Sequence, residues 1–407
     1  MKILGKSWKY INEGNAHIVV QILGTDYVLR LIKEDGITTT PKNVYDSVNF
    51  VNLIMVPLLE NTHYGNEQTI EISASDLTAL TKVLLPFRPA NRIHKSLISQ
   101  IAIKATNLSI VSPNCEINYC VEIKPKEGYL SSSLKQYSKC YYCFKQYLKL
   151  QMNSIEKTSH YCPLDLFSGD RNRMKNALLN MINNPQNNFK LFKNGSLIFN
   201  ELSSKEDLEE IIKNMNCFSD SSLFLDFIIA ILQSDNNIPY IELTKTHTEN
   251  TEKCYKHCVE SNNLDPTSFL YKLLQLQRLS ETVAFDVKDL GNDYMDYVSK
   301  LIENLNLNKL DLHRQSDRET FYKTADPIHL ALISAVAKDC SIMISFSTNY
   351  VENIPYVEVG DLKVFYKLAL TDLEPKSPQT LSKRKDTEKK MIAIYEKYRE
   401  TVHEEKL

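Results

Sequence analysis

The stretch Ala16-His17-Ile18-Val19-Val20-Gln21-Ile22-Leu23 runs into Gly24-Thr25-Asp26 and then into Tyr27-Val28-Leu29-Arg30-Leu31. Two apolar runs around a short turn signal predict a β-hairpin. Trp8 to Tyr10 leads into it. Downstream, Leu77 to Leu85 and His94 to Thr106 fit either a helix or a buried strand, because periodicity alone does not separate the two. A polar stretch from Asn107 to Asn118, containing Ser112-Pro113-Asn114, is the candidate hinge. The strand Tyr119 to Ile123 follows it. Helical patterns then cover Lys135 to Met152, Arg171 to Asn183, Lys205 to Met215, Ser222 to Leu232, Pro266 to Val283, Tyr294 to Leu307 and Pro327 to Lys338. Two hydrophobic strands, Cys340 to Phe346 and Leu362 to Thr371, precede a cationic helix from Lys383 to Tyr398. The expectation is an α+β protein with a small β-rich N-terminal lobe, residues 1–111, and a larger mixed C-terminal lobe, residues 112–407. Such a pair of lobes often holds a nucleotide in the cleft between them.

The 407 residues carry 48 basic and 50 acidic side chains, a net charge of −2. Nothing global therefore attracts a polyanion, and any such ligand must be held by a local cluster of cations. No run is long and apolar enough for a membrane span. The odd count of nine cysteines, without a secretory pattern at the start, points to a reducing intracellular compartment, cytoplasmic or nuclear, and to thiols or a metal rather than disulfides.

Several segments have the residue types that chemistry requires. In Glu122-Ile123-Lys124-Pro125-Lys126, the two lysines project to the same side of an extended chain. They suit a phosphate, or they are solvated side chains of an edge strand. Asp339 stands before the strand Cys340-Ser341-Ile342-Met343-Ile344, and Asp372 ends the strand Val364 to Thr371. Phosphoryl transfer needs one carboxylate for the attacking hydroxyl and another for Mg²⁺. Aspartate at a strand end is also ordinary turn chemistry. Glu13-Gly14-Asn15-Ala16 has a single glycine and matches neither a Walker loop nor G-x-G-x-x-G. Arg30 either reaches a nucleotide phosphate or lies on the surface. His247, Cys254, His257 and Cys258 are candidate zinc ligands, although the adjacent His257 and Cys258 do not suit one ion. Cys140-x-x-Cys143 has the spacing of a metal or redox pair, but no second pair follows at the expected distance, so packed free thiols are expected there. The tail cations Lys376, Lys383, Arg384, Lys385, Lys389 and Lys390 read as a solvated helix face. No nucleic-acid-binding signature surrounds them.

Taken in order, the motifs resemble the inositol pentakisphosphate 2-kinase family. They are Trp8-x-Tyr10 with Glu13-Gly14-x-Ala16, Val28-Leu29-Arg30, Glu122 to Lys126, Tyr161-Cys162-Pro163-Leu164-Asp165-Leu166-Phe167-Ser168-Gly169, Pro185-Gln186-Asn187-Asn188 with Phe192 to Gly195, Lys338 to Ile344, and Asp372-Leu373-Glu374-x-Lys376. The resemblance implies a two-lobed fold distantly similar to protein kinases. It implies ATP and Mg²⁺, inositol 1,3,4,5,6-pentakisphosphate as acceptor and inositol hexakisphosphate as product. By position, Asp339 resembles the catalytic aspartate and Asp372 the metal-holding one. Lys124, Lys126, Lys149, Asn187, Asn188 and Lys376 resemble groups at the substrate phosphates, and Gly14, Asn15 and Arg30 resemble the nucleotide side.

There are departures. In the family pattern Arg-x-Cys-x-His-Gln this chain has Tyr141, Cys143, Lys145 and Gln146, so Lys145 keeps a cation where Tyr141 offers a hydroxyl. Thr380 and Arg384 stand where the family has an arginine and then a tyrosine, as if the charge had moved along the chain. Pro375 replaces a usual leucine. The family's zinc site includes a histidine downstream of a cysteine pair that has no counterpart here. The alternative to an active kinase is a weakened homologue that binds inositol polyphosphate. A monomer without nucleic-acid or membrane partners is expected.

Overall fold

The computed structural model describes residues 3–404, apart from 4, 15, 34–39, 61–62, 236–237, 244–257, 262 and 283–294. The described residues form a mixed α+β protein with two sheets. The first contains β1 (Trp8–Glu13), β2 (His17–Ile22), β3 (Tyr27–Lys33), β4 (Gln68–Glu71) and β5 (Leu97–Thr106), in the order β1-β2-β3-β5-β4. The expected hairpin is β2–β3, and Gly24 turns it with φ 70°. Alternation along β2 buries Ile18, Val20 and Ile22, which pack with Leu29 and Leu31 of β3. The two open segments divide: Ala74–Leu84 is a helix and Leu97–Thr106 a strand. Ser73 caps the helix by accepting from the Asp76 amide.

The second sheet contains β6 (Tyr119–Ile123), β7 (Phe189–Lys193), β8 (Ser196–Phe199), β9 (Tyr240–Glu242), β10 (Ser341–Ser347), β11 (Tyr356–Val359) and β12 (Leu362–Thr371). Their order is β8-β7-β6-β10-β12-β11-β9, and only the β11–β9 pair is parallel. The helices Ser221–Gln233 and Pro327–Ala337 are apolar almost all round and lie in the core. Where the sequence pattern runs unbroken from Lys135 to Met152, the chain forms a 3₁₀ turn at Ser132–Tyr137 and then a helix at Tyr141–Gln151. Ser138, left-handed at φ 51°, separates them. The cationic C-terminal helix is longer than its charge pattern suggested, Gln379–Glu404. A helix the sequence reading did not mark, Pro41–Phe50, starts on a Thr40 cap with proline in its first turn and continues to Leu58. Val44 and Val48 pack under the first sheet, whereas Phe50, Ile54 and Met55 belong to the core of the second. No described helix is long and apolar enough to cross a membrane.

Register decides what gathers at one end of the second sheet. Ser341 pairs with Thr371, Ile342 with Ile123, and Ile123 with Phe189. The residues just beyond these pairs, Asp339, Asp372, Lys124 and Asn188, therefore emerge at the same edge.

Candidate active site

At that edge lies a cavity of about 930 Å³. Its lining contains nine lysine and arginine side chains against four carboxylates, although the whole chain is slightly acidic. Lys124 and Lys126 both reach it, but not by the strand alternation expected of them. β6 ends at Ile123, the Lys124 amide donates to the Asn188 carbonyl at 2.8 Å, and Lys126 is left-handed at φ 59°. Gln186, Asn187 and Asp372 are left-handed as well.

Each of the two aspartates is paired with lysines of its own. Lys376 Nζ donates to Asp339 Oδ2 at 2.9 Å, and Lys126 Nζ stands 3.8 Å from Asp339 Oδ1. Asp372 Oδ2 accepts from Lys124 Nζ at 3.1 Å and from the Ser341 hydroxyl at 2.8 Å. Burial works against the charge of Asp339, yet Lys376, then Lys126 and Lys124, hold its pKa below the usual carboxylate value. Burial lowers the pKa of Lys126, and the neighbouring Lys124, Lys145 and Lys149 add to that, while Asp339 alone opposes it. The cavity is thus a set of cations that repel one another and are only partly compensated.

Lys145 and Lys149 come from the helix Tyr141–Gln151, and Asn187 and Asn188 from the turn before β7. Lys149 Nζ donates to Gln186 Oε1 at 3.2 Å. The departures Tyr141 and Arg384 meet. The Arg384 guanidinium lies over the Tyr141 ring, 3.9 Å from its centroid, and forks onto Glu127. Arg384 is therefore in the cavity wall, not on a solvated face.

Gly14 and Arg30 sit apart from the cavity lining. Arg30, half-buried rather than on the surface, is held between Glu67 and Glu374. The Gly14 carbonyl accepts from Lys33 Nζ at 2.8 Å. Lys33 is itself paired with Glu13, which also takes Arg88. Asn15, His247, Cys254 and His257 fall outside the described residues.

Cys258, the remaining member of the expected zinc set, sits in a different cluster. The sulfurs of Cys140, Cys143, Cys162 and Cys258 all lie within 4.8 Å of one another. Tetrahedral zinc with Zn–S bonds of about 2.3 Å separates its sulfurs by about 3.8 Å, so these four fit such an ion. The second pair that Cys140-x-x-Cys143 lacked in sequence is supplied by residues from two distant loops. Cys162 lies in the Tyr161 to Gly169 motif, which was a signal for this position, but nothing in sequence linked it to the others.

Sequence reasoning also passed over Lys338. Its Nζ donates to Ser280 at 2.6 Å and lies 5.4 Å from the Tyr129 ring centroid. Burial lowers its pKa from 10.5 to about 8; Glu127 raises it, Arg384 lowers it, and Glu281 and Glu388 raise it. Because the folded value is the lower one, the unfolded chain holds the extra proton between about pH 8 and 10.5, and this group's contribution to stability rises with pH across that window. A bound polyanion favours the charged form. Binding of inositol hexakisphosphate at pH 8 should then take up more protons, or release fewer, in wild type than in Lys338→Met, seen as a difference in how calorimetric enthalpy depends on buffer ionisation heat. The same dependence in both proteins would show that Lys338 does not respond to the ligand.

A family model described as inositol-pentakisphosphate 2-kinase matches residues 10–390. The chain belongs to this kinase family. Three relatives agree. It is 26% identical to a Danio rerio inositol-pentakisphosphate 2-kinase, over 95% of this chain and 92% of that one. It is 26% identical to the Arabidopsis thaliana protein of the same name, over 94% and 84%. With an Oryza sativa subsp. indica inositol-pentakisphosphate 2-kinase IPK1 the identity is 27%, over 84% and 81%. This member of the inositol-pentakisphosphate 2-kinase family has a Tyr141–Arg384–Glu127 wall in its cavity.

Proposed function

We propose that the chain transfers the γ-phosphoryl group of ATP to the 2-hydroxyl of inositol 1,3,4,5,6-pentakisphosphate, giving inositol hexakisphosphate. The observation that carries this reading is the placement of Asp339, an ionised carboxylate, in the wall of a cavity with nine cations and a volume suited to a phosphorylated cyclitol. The acceptor's phosphates lie against Lys124, Lys126, Lys145, Lys149, Asn187, Asn188, Lys376 and Arg384. Asp339 accepts the hydrogen bond of the attacking hydroxyl and orients its oxygen. That oxygen bonds to the γ-phosphorus as the bond to the ADP oxygen breaks, and the hydroxyl proton leaves through Asp339. Lys376 and Lys126, beside Asp339, screen charge that develops at the acceptor.

Asp372 offers hard oxygen ligands at the same edge and would hold Mg²⁺, which when bound neutralises nucleotide phosphates. We read the first sheet as the nucleotide lobe, dividing from the second at 111/112 in a kinase-like two-lobed arrangement, with Gly14, Asn15 and Arg30 on the nucleotide side. The four cysteines would hold a structural Zn²⁺. We place the protein inside the cell, in the cytoplasm or nucleus, because a chain rich in cysteines that form no disulfide with another described cysteine suits a reducing compartment.

The test is incubation with Mg-ATP and the pentakisphosphate, followed by anion-exchange chromatography. A product eluting as the hexakisphosphate is expected, dependent on Mg²⁺. Tight binding of inositol hexakisphosphate with no product would support the binding-module alternative instead.

A further inference from the structure

We infer that Glu127 is a positioning residue, which fixes the Arg384 guanidinium as a rigid fork for one phosphate of the acceptor; this rests on the function proposed above. Two constraints define the guanidinium. The Tyr141 ring, 3.9 Å away, sets its plane. The Glu127 carboxylate sets its rotation, with Arg384 Nη1 donating to Oε1 and Nη2 to Oε2, the latter at 2.6 Å. Glu127 is nearly inaccessible, its side chain 7% exposed, while that of Arg384 is 23% exposed. The carboxylate's charge is thus taken up by Arg384 and does not confront a polyanion, and the N–H groups not used by Glu127 remain for a ligand in the cavity that both residues line.

A tether for the C-terminal helix is the alternative role for this pair. The helix is already anchored farther along by Met391, buried with Leu134 and Phe144, and by Tyr395 against Phe144. A largely buried ion pair adds little stability beyond such packing. What a planar, oriented fork does supply is bidentate recognition of phosphate, which a lysine point charge does not reproduce.

The experiment is steady-state kinetics of full-length Glu127→Gln and Arg384→Lys with the pentakisphosphate as varied substrate. Both variants should raise the acceptor KM about tenfold. Both should leave kcat and the KM for ATP within about twofold, because neither residue touches the reacting atoms. An unchanged or lower acceptor KM in Glu127→Gln would overturn the inference. So would Arg384→Lys kinetics equal to wild type, because without a guanidinium fork at the acceptor there is nothing for Glu127 to position. If Glu127→Gln fails to fold, Glu127→Asp, which keeps the charge but shortens the reach, should raise the acceptor KM, and an unchanged KM there would overturn the inference as well. Wild-type protein that neither turns over nor binds inositol hexakisphosphate would remove the underlying functional reading, a result distinct from either variant outcome.

Discussion

Asp339→Asn should lower kcat about a thousandfold while leaving the binding of inositol hexakisphosphate intact or somewhat tighter. The two effects separate because Asp339 is surrounded by groups that prefer it charged. Lys376 lies 2.9 Å from one carboxylate oxygen and Lys126 3.8 Å from the other. Their charges keep Asp339 ionised, ready to accept the hydroxyl's hydrogen bond. Asparagine preserves the shape but presents an amide that can donate, so the hydroxyl loses its orienting acceptor. For the bound hexakisphosphate the same change removes one negative charge from the wall and releases Lys376 and Lys126 for phosphate. Kinetics and calorimetry on one preparation check both halves. A variant with near-wild-type kcat would remove Asp339 from the reaction; one that no longer binds would make it a structural residue.

The second large effect concerns the four cysteines. The purified protein should contain one equivalent of zinc by elemental analysis, and Cys143→Ser or Cys162→Ser should lose it. Loss of such an ion from a folded domain destabilises it by on the order of 4 kcal/mol, roughly 5–10 °C in Tm. The position of the cluster adds a kinetic consequence. Cys140 is the N-cap of the helix Tyr141–Gln151, which brings Tyr141, Lys145 and Lys149 to the cavity. Freeing its first turn should raise the acceptor KM more than the KM for ATP. Metal-free protein with an unchanged melting curve would leave the cluster as four packed thiols.

The fold was legible in sequence where a segment was long or strongly patterned. β6 and β12 occupy the expected residues, and the helix Arg171–Asn183 has the expected bounds. β4, β8, β9 and β11 span three or four residues each, too few for alternation to register. The helix Pro41–Phe50 was missed because its apolar face is divided between two cores. At the site, single residues were legible and their partnerships were not. Lys124, Lys126, Asp339 and Lys376 were singled out in sequence, but the pairing of lysines with aspartates depends on a sheet that brings the ends of three strands, β6, β10 and β12, side by side. Glu127 was not singled out, and Arg384 was read as one cation of a solvated helix face, with only the resemblance to place it near the substrate. Only the approach of the C-terminal helix to the Tyr141–Gln151 helix makes them a unit. The thiol cluster failed to register for the same reason, since Cys258 and Cys140 are brought together by tertiary packing alone.

The measurement that tests the central claim most directly is two-dimensional ¹H–³¹P NMR of the product formed from inositol 1,3,4,5,6-pentakisphosphate and Mg-ATP, with Asp339→Asn run in parallel. A new phosphorus signal correlated with the proton on carbon 2, formed by wild type and missing with Asp339→Asn, is the predicted result. A new phosphorus without any ring-proton correlation would mean that an existing phosphate had been extended to a diphosphate, and would contradict the assignment of Asp339 to a free 2-hydroxyl.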